Sequence, residues 1–153
     1  MNSEIRVGYL IQGSFSPEHI SSALNIIPSK TWETGDLISP KAKICYKESG
    51  WLIEESFKLE EKESNADNAD NADQLDENAD AHETLESLVI KLFAKLKPSW
   101  EKLKQLSNQY EPELSCVIYF SGQIPEVHFS KNIVTLIADL NLSVDIDLYC
   151  LRD

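Results

Sequence analysis

Asp145 and Asp147 are the carboxylates whose spacing best suits chemistry. Two apart on a strand, they project from one face, close enough to share a metal ion or to divide acid and base roles. The solvent face of a half-buried sheet explains the same spacing more simply. Arg6, on the polar side of an N-terminal strand, is their counter-ion if the two terminal strands are neighbours, and that role is structural. Trp32 follows a turn, where a core role is less automatic, and with Asp36 and Tyr149 it can line a partly polar, concave patch suited to a ligand or a partner protein. Trp51 is the second aromatic of this kind, although packing in a core or under a lid is the plainer role for both tryptophans.

The remaining reactive side chains do not assemble into a catalytic set. His19, His82 and His128 lack the i, i+4 partner that a helical metal site needs, and Ser14, Ser16 and Ser130 lack a nucleophile-elbow context. Gly13 and Gly35 are too isolated for a phosphate-binding loop. Cys45, Cys116 and Cys150 are odd in number, widely spaced and set in apolar runs, which predicts buried, reduced thiols in a cytosolic protein. No catalytic residue, metal site or cofactor is expected.

Charge narrows the partners. The chain carries a formal −12, and residues 60–86 hold eleven acidic side chains against Lys62 alone, a local −10 that leaves −2 elsewhere. A nearly neutral folded part argues against nucleic acid, whose phosphates require a clustered basic surface. Lys91, Lys95, Lys97, Lys102 and Lys104 read as a solvated helix face. Within the acidic stretch, Asn-Ala-Asp is repeated three times over residues 65–73 and again at 78–80, so residues 60–80 read as a disordered, low-complexity insertion in a single domain of 153 residues. An EF-hand would need ligands at alternate positions and a mid-loop glycine, and the tract has neither. The N-terminus has no basic region followed by a long apolar core, which predicts no signal peptide and no membrane span, and a cytoplasmic location.

The positions of these residues depend on the elements that carry them. Alternation at Ile5, Val7, Tyr9 and Ile11 predicts a central strand, and Ser16-Pro17-Glu18 starts a helix that Pro28 stops. Residues 41–47 and 51–58 read as a β-hairpin turning at Gly50 with positive φ. Leu85, Leu88, Val89, Leu92, Leu96, Trp100, Leu103 and Leu106 recur at three- and four-residue steps, the longest helical signal in the chain. Asp80 and Glu83 give it a capping box, and Pro98 divides it into two abutting helices. Residues 114–120 predict an interior strand and 123–129 an edge strand or loop. Ser130 caps a helix ending near Asn141, and 142–151 form a last strand with Val144, Ile146, Leu148 and Cys150 on one side. The order predicts an α+β two-layer sandwich, a mainly antiparallel sheet with three helical segments and room for a ferredoxin-like start.

Ile27-Pro28 with Trp32 and Gly35-Asp36, Trp51 opening a strand, Phe129-Ser130 opening a helix and the closing run from Val144 to Tyr149 occur in an order that resembles a bacterial family, domain of unknown function 4279. The similarity spans nearly the whole chain apart from the Asn-Ala-Asp tract. It implies a small cytosolic bacterial domain and no particular activity, cofactor or catalytic residue. Two functions from different classes follow from the residues. One is a non-enzymatic module that binds another protein, an immunity-type protein being one concrete version. The other is a small-ligand carrier or enzyme that uses Asp36, Asp145, Asp147 and Arg6 around the tryptophans.

Overall fold

Ile5, Val7, Tyr9 and Ile11 line one side of the strand β1 (Glu4–Gly13) and are almost wholly buried, so the period of two in the sequence marks the face that meets the helices. The structure, a computed structural model, describes residues 2–59 and 83–152. After β1 come α1 (Pro17–Leu24), β2 (Lys30–Trp32), β3 (Ser49–Lys58), α2 (Leu85–Leu96), a 3₁₀ turn at Lys97–Ser99, α3 (Trp100–Leu106), β4 (Glu113–Phe120), α4 (Lys131–Asp139) and β5 (Ser143–Cys150). The sheet order is β2-β3-β1-β4-β5, antiparallel throughout except for the parallel pair β4 and β5. The first four strands with their two helical crossovers make the β-α-β-β-α-β arrangement of a ferredoxin-like core, and α4 with β5 extends it by one strand. The fold is α+β, with β1 central as its pattern predicts.

The apolar stripe does cover the sheet. Leu85, Leu88, Val89, Leu92 and Leu96 are buried as α2 packs on β1 and β3, each leucine contributing roughly 1.5–3 kcal/mol through the area it removes from water. Pro98 falls in the 3₁₀ turn, where its missing N–H breaks no α-helical bond, and α3 follows with Leu103 buried. The helix cap lies four residues beyond the predicted one. Thr84 Oγ1 accepts the Ser87 N–H at 3.1 Å while Ser87 Oγ accepts the Thr84 N–H at 2.8 Å, a reciprocal box in which serine replaces the usual acid. Glu83 instead pairs with Lys91 and accepts the Ser87 hydroxyl at 2.6 Å. Asp80 and the proposed Asn-Ala-Asp insertion lie outside the described residues.

Other expectations are corrected by what packs where. α1 ends at Leu24 because Asn25 takes the left-handed conformation (φ 53), and Ile27 is left exposed. Residues 41–47 form no strand: the segment doubles back on itself through a single Leu37–Cys45 bridge, and the turn glycine with positive φ is Gly35. Gly50 lies inside β3, paired with Gln12 and Trp32. Cys116 is buried as expected, whereas Cys45 sits on the doubled-back loop and Cys150 on the sheet edge, both exposed. Residues 124–129 are loop. Asn141 does adopt the left-handed conformation after α4 (φ 53), but the α4 start is held from outside, by a Glu86 carboxylate 2.6 Å from the Ser130 N–H, rather than by the Ser130 hydroxyl.

Candidate functional site

With all described helices on one side, the other side of the sheet carries the alternate residues of each strand. The registers place Glu4, Tyr119 and Tyr149 in one row across β1, β4 and β5, then Arg6, Val117 and Asp147, then Gly8, Ser115 and Asp145. Tyr119 and Tyr149 stack with centroids 5.1 Å apart and planes 18° from parallel, and the Arg6 guanidinium lies 5.6 Å from the Tyr119 centroid. A cation over a ring already stacked on its other neighbour makes a stiff, amphipathic surface. Arg6 is not the counter-ion of the aspartates. Its ion pair is with Glu4 at 2.8 Å, and that hydrogen bond holds the Glu4 carboxyl below the usual carboxylate range. Asn2, Glu4, Arg6, Lys58, Tyr119 and Leu151 line a groove of about 430 Å³ beside this stack.

The carboxylates of this face act on one another. Glu113, paired with Ser143 at the start of β5, is pushed up first by burial and then by repulsion from Asp145 and Asp147. Glu54 on β3 is likewise raised by burial, with Arg6 drawing it back. Cys116, on the helix side of β4, is pushed up to about 12 by burial and is an inert core thiol at neutral pH.

The seven residues singled out in the sequence divide into four places. Arg6, Asp145, Asp147 and Tyr149 share the open side of β1, β4 and β5. Trp32 faces the same side from β2, at the far edge and the opposite strand end, where it stacks on Tyr46 at 4.8 Å with Lys30 5.5 Å from its ring. Asp36 is turned into its own loop, its Oδ2 accepting the Glu33 N–H at 2.8 Å. Trp51 points the other way, fully buried, its indole N–H donating to Ser21 Oγ at 2.9 Å. Among the described residues, neither the Arg6 groove nor the apolar groove between α2 and α4 is lined by either of these tryptophans, so neither joins these groups. Among the described residues no three His, Cys, Asp or Glu side chains converge on a metal-sized site.

Tyr119 and Glu113 were missed as site residues because β4 is apolar on both sides, which reads as an interior strand and hides which face is open. The one usable signal was the parity of Tyr119 with Glu113 in β4, shared by Tyr149 with Asp145 in β5.

β5 also departs from its pattern. Val144, Ile146 and Leu148 lie on the helix side yet are 42%, 37% and 48% exposed, because α4 rests against α2 rather than over the last strand. Among the described residues β5 is therefore an edge with both faces in solvent.

Fold and site together define a ferredoxin-like α+β domain, extended by one parallel edge strand, whose charged and aromatic sheet face no described helix covers. The chain matches, over residues 4–77 and 63–151, the family described as a domain of unknown function, DUF4279, and belongs to it. No curated protein and no solved structure matches the chain. No described helix is long and apolar enough to cross a membrane.

Proposed function

We propose that this chain is a non-enzymatic protein-binding module that meets its partner with the open side of β1, β4 and β5. The observation that carries this is the Arg6–Tyr119–Tyr149 stack, pre-arranged on a rigid sheet beside the exposed Asp145 and Asp147. Tyrosine and arginine are enriched among the residues that dominate binding energy at protein interfaces, tyrosine because it buries a large rigid area with little loss of side-chain freedom and arginine because its planar guanidinium makes several hydrogen bonds at once. The groove beside the stack is open to solvent and lined by the charged Glu4, Arg6 and Lys58, an arrangement that suits a protruding partner side chain better than a sequestered substrate. An immunity-type protein, which neutralises a toxin by covering it, is one concrete form of this function; the acidity of the chain favours it.

The test is a photo-crosslinking residue placed at Asp147, compared with one at Lys102 on the helical side. In cells of the source organism, position 147 is expected to give a discrete protein adduct that position 102 does not. Equal labelling from both positions, or no protein adduct from 147, would remove the proposal.

A further inference from the structure

In a parallel pair, residues that bond inward alternate with residues that bond outward. The Ser143 N–H donates to the Pro112 carbonyl at 3.2 Å and the Leu151 N–H to that of Phe120 at 2.7 Å, so the odd residues of β5 bond to β4. The backbone N–H and C=O groups of Val144, Ile146, Leu148 and Cys150 therefore point away from the sheet. The edge they form has eight residues and contains neither proline nor lysine, the usual means of blocking strand addition. One side of it is apolar and exposed. The other is acidic, with Asp145 and Asp147 on β5 and Glu113 beside them.

We infer that β5 is a strand-addition site for an extended partner segment that alternates apolar and basic residues. This deepens, and rests on, the protein-binding function proposed above. The occupant follows from complementarity: residues directly opposite on neighbouring strands share a face, so a strand with lysine or arginine two apart sets them against Asp145 and Asp147 while its apolar residues cover Val144, Ile146 and Leu148. A second copy of this chain fits poorly. In the two antiparallel registers that pair most of β5 with itself, centred on Ile146 or on Asp147, Asp145 meets Asp147 or Asp147 meets itself; the shorter register centred on Leu148 opposes no two aspartates. Opposed like charges destabilise such a pair. The same two aspartates that discourage self-pairing select a basic partner.

The probe is a fluorescein-labelled peptide, Ser-Val-Lys-Val-Lys-Val-Ser, with a scrambled control in which the lysines are adjacent, titrated by anisotropy against the full chain. Ile146→Pro removes an outward N–H without removing a bond to β4, and Asp145→Lys with Asp147→Lys reverses the charge at two exposed positions. The alternating peptide is expected to bind more tightly than the scrambled one and to lose about tenfold or more in affinity with Ile146→Pro, the order expected when a strand cannot pair. The double lysine variant is expected to prefer the peptide with glutamate in place of lysine. Equal binding of both lysine peptides, or binding indifferent to both variants, would overturn the inference and show only attraction to an acidic surface. Self-association of the chain that Ile146→Pro abolishes would overturn it in favour of a second copy. A partner adduct from position 147 that survives Ile146→Pro undiminished would sink strand addition and leave the protein-binding function standing; loss of that adduct from the wild type would sink both.

Discussion

Trp32 occupies the space in which Gly50 would carry a side chain: a Cβ on Gly50 would stand 2.0 Å from Trp32 Cε2 and 2.1 Å from Cζ2. The glycine is thus a flat place on β3 on which an indole lies, with Tyr46 stacked beyond it. Gly50→Ala is expected to lower stability by about 1–3 kcal/mol, as an added methyl does where the neighbour is a rigid ring. Urea denaturation measures the loss, and a change in the near-ultraviolet dichroism of the Trp32–Tyr46 stack should accompany it. An alanine variant as stable as the wild type would show that the ring is free to move.

The Trp51 indole N–H has Ser21 Oγ as its partner, across the join between β3 and α1. Ser21→Ala leaves that N–H buried and unpaired, which is expected to cost about 1–3 kcal/mol. Ser21→Thr keeps an oxygen within reach and should cost less. Thermal midpoints of the two variants, equal to one another, would contradict the role given to the hydroxyl.

The start of α2 depends on Thr84. Thr84→Ala is expected to cost about 1 kcal/mol and Thr84→Ser little, because only the hydroxyl that accepts the Ser87 N–H matters. Denaturant titration of both variants checks this, and an alanine variant no weaker than the serine one would contradict it.

Glu113 should make stability depend on pH in the opposite sense to a salt-bridged acid. Its folded pKa is raised above its ordinary 4.5 by burial and then by Asp145 and Asp147. The folded state therefore binds that proton more tightly, so the contribution is most favourable below the unfolded value and is lost as pH rises from there through the folded value. Glu113→Gln is expected to be more stable than the wild type near neutral pH and no more stable well below 4.5. Asp145→Asn with Asp147→Asn should move the Glu113 carboxyl downward in a carbon-detected titration, and an unmoved carboxyl would show that burial alone sets it.

Much of the fold was legible because burial writes itself into period. The alternation in β1 and the three- and four-residue steps of α2 correspond to faces that the structure buries, and Asn141 signalled the end of α4 through its tolerance of positive φ. What escaped the sequence depends on tertiary partners. Gly50 looked like a turn glycine because the indole that requires it arrives from β2. The apolar side of β5 looked like core because a strand's pattern shows which residues share a face but not whether a helix comes to rest on it. Arg6 looked like a counter-ion for the aspartates, since nothing in linear order ranks Glu4 at 2.8 Å ahead of carboxylates two strands away. The open face itself is half legible: the polar positions of the two terminal strands mark Arg6, Asp145, Asp147 and Tyr149, while Tyr119, which stacks on Tyr149 under Arg6, is hidden in a strand apolar on both sides.

If β5 and the adjoining open face receive a partner strand, residue-resolved amide hydrogen exchange will register it. In the free chain the amides of Val144, Ile146 and Leu148 are expected to exchange rapidly while those of Asp145, Asp147 and Tyr149, bonded to β4, are protected. On addition of the partner captured at position 147, the even-numbered amides should slow by about tenfold or more, as newly paired backbone groups do. Even-numbered amides already protected in the free chain, or unchanged by the partner, would rule out strand addition at β5.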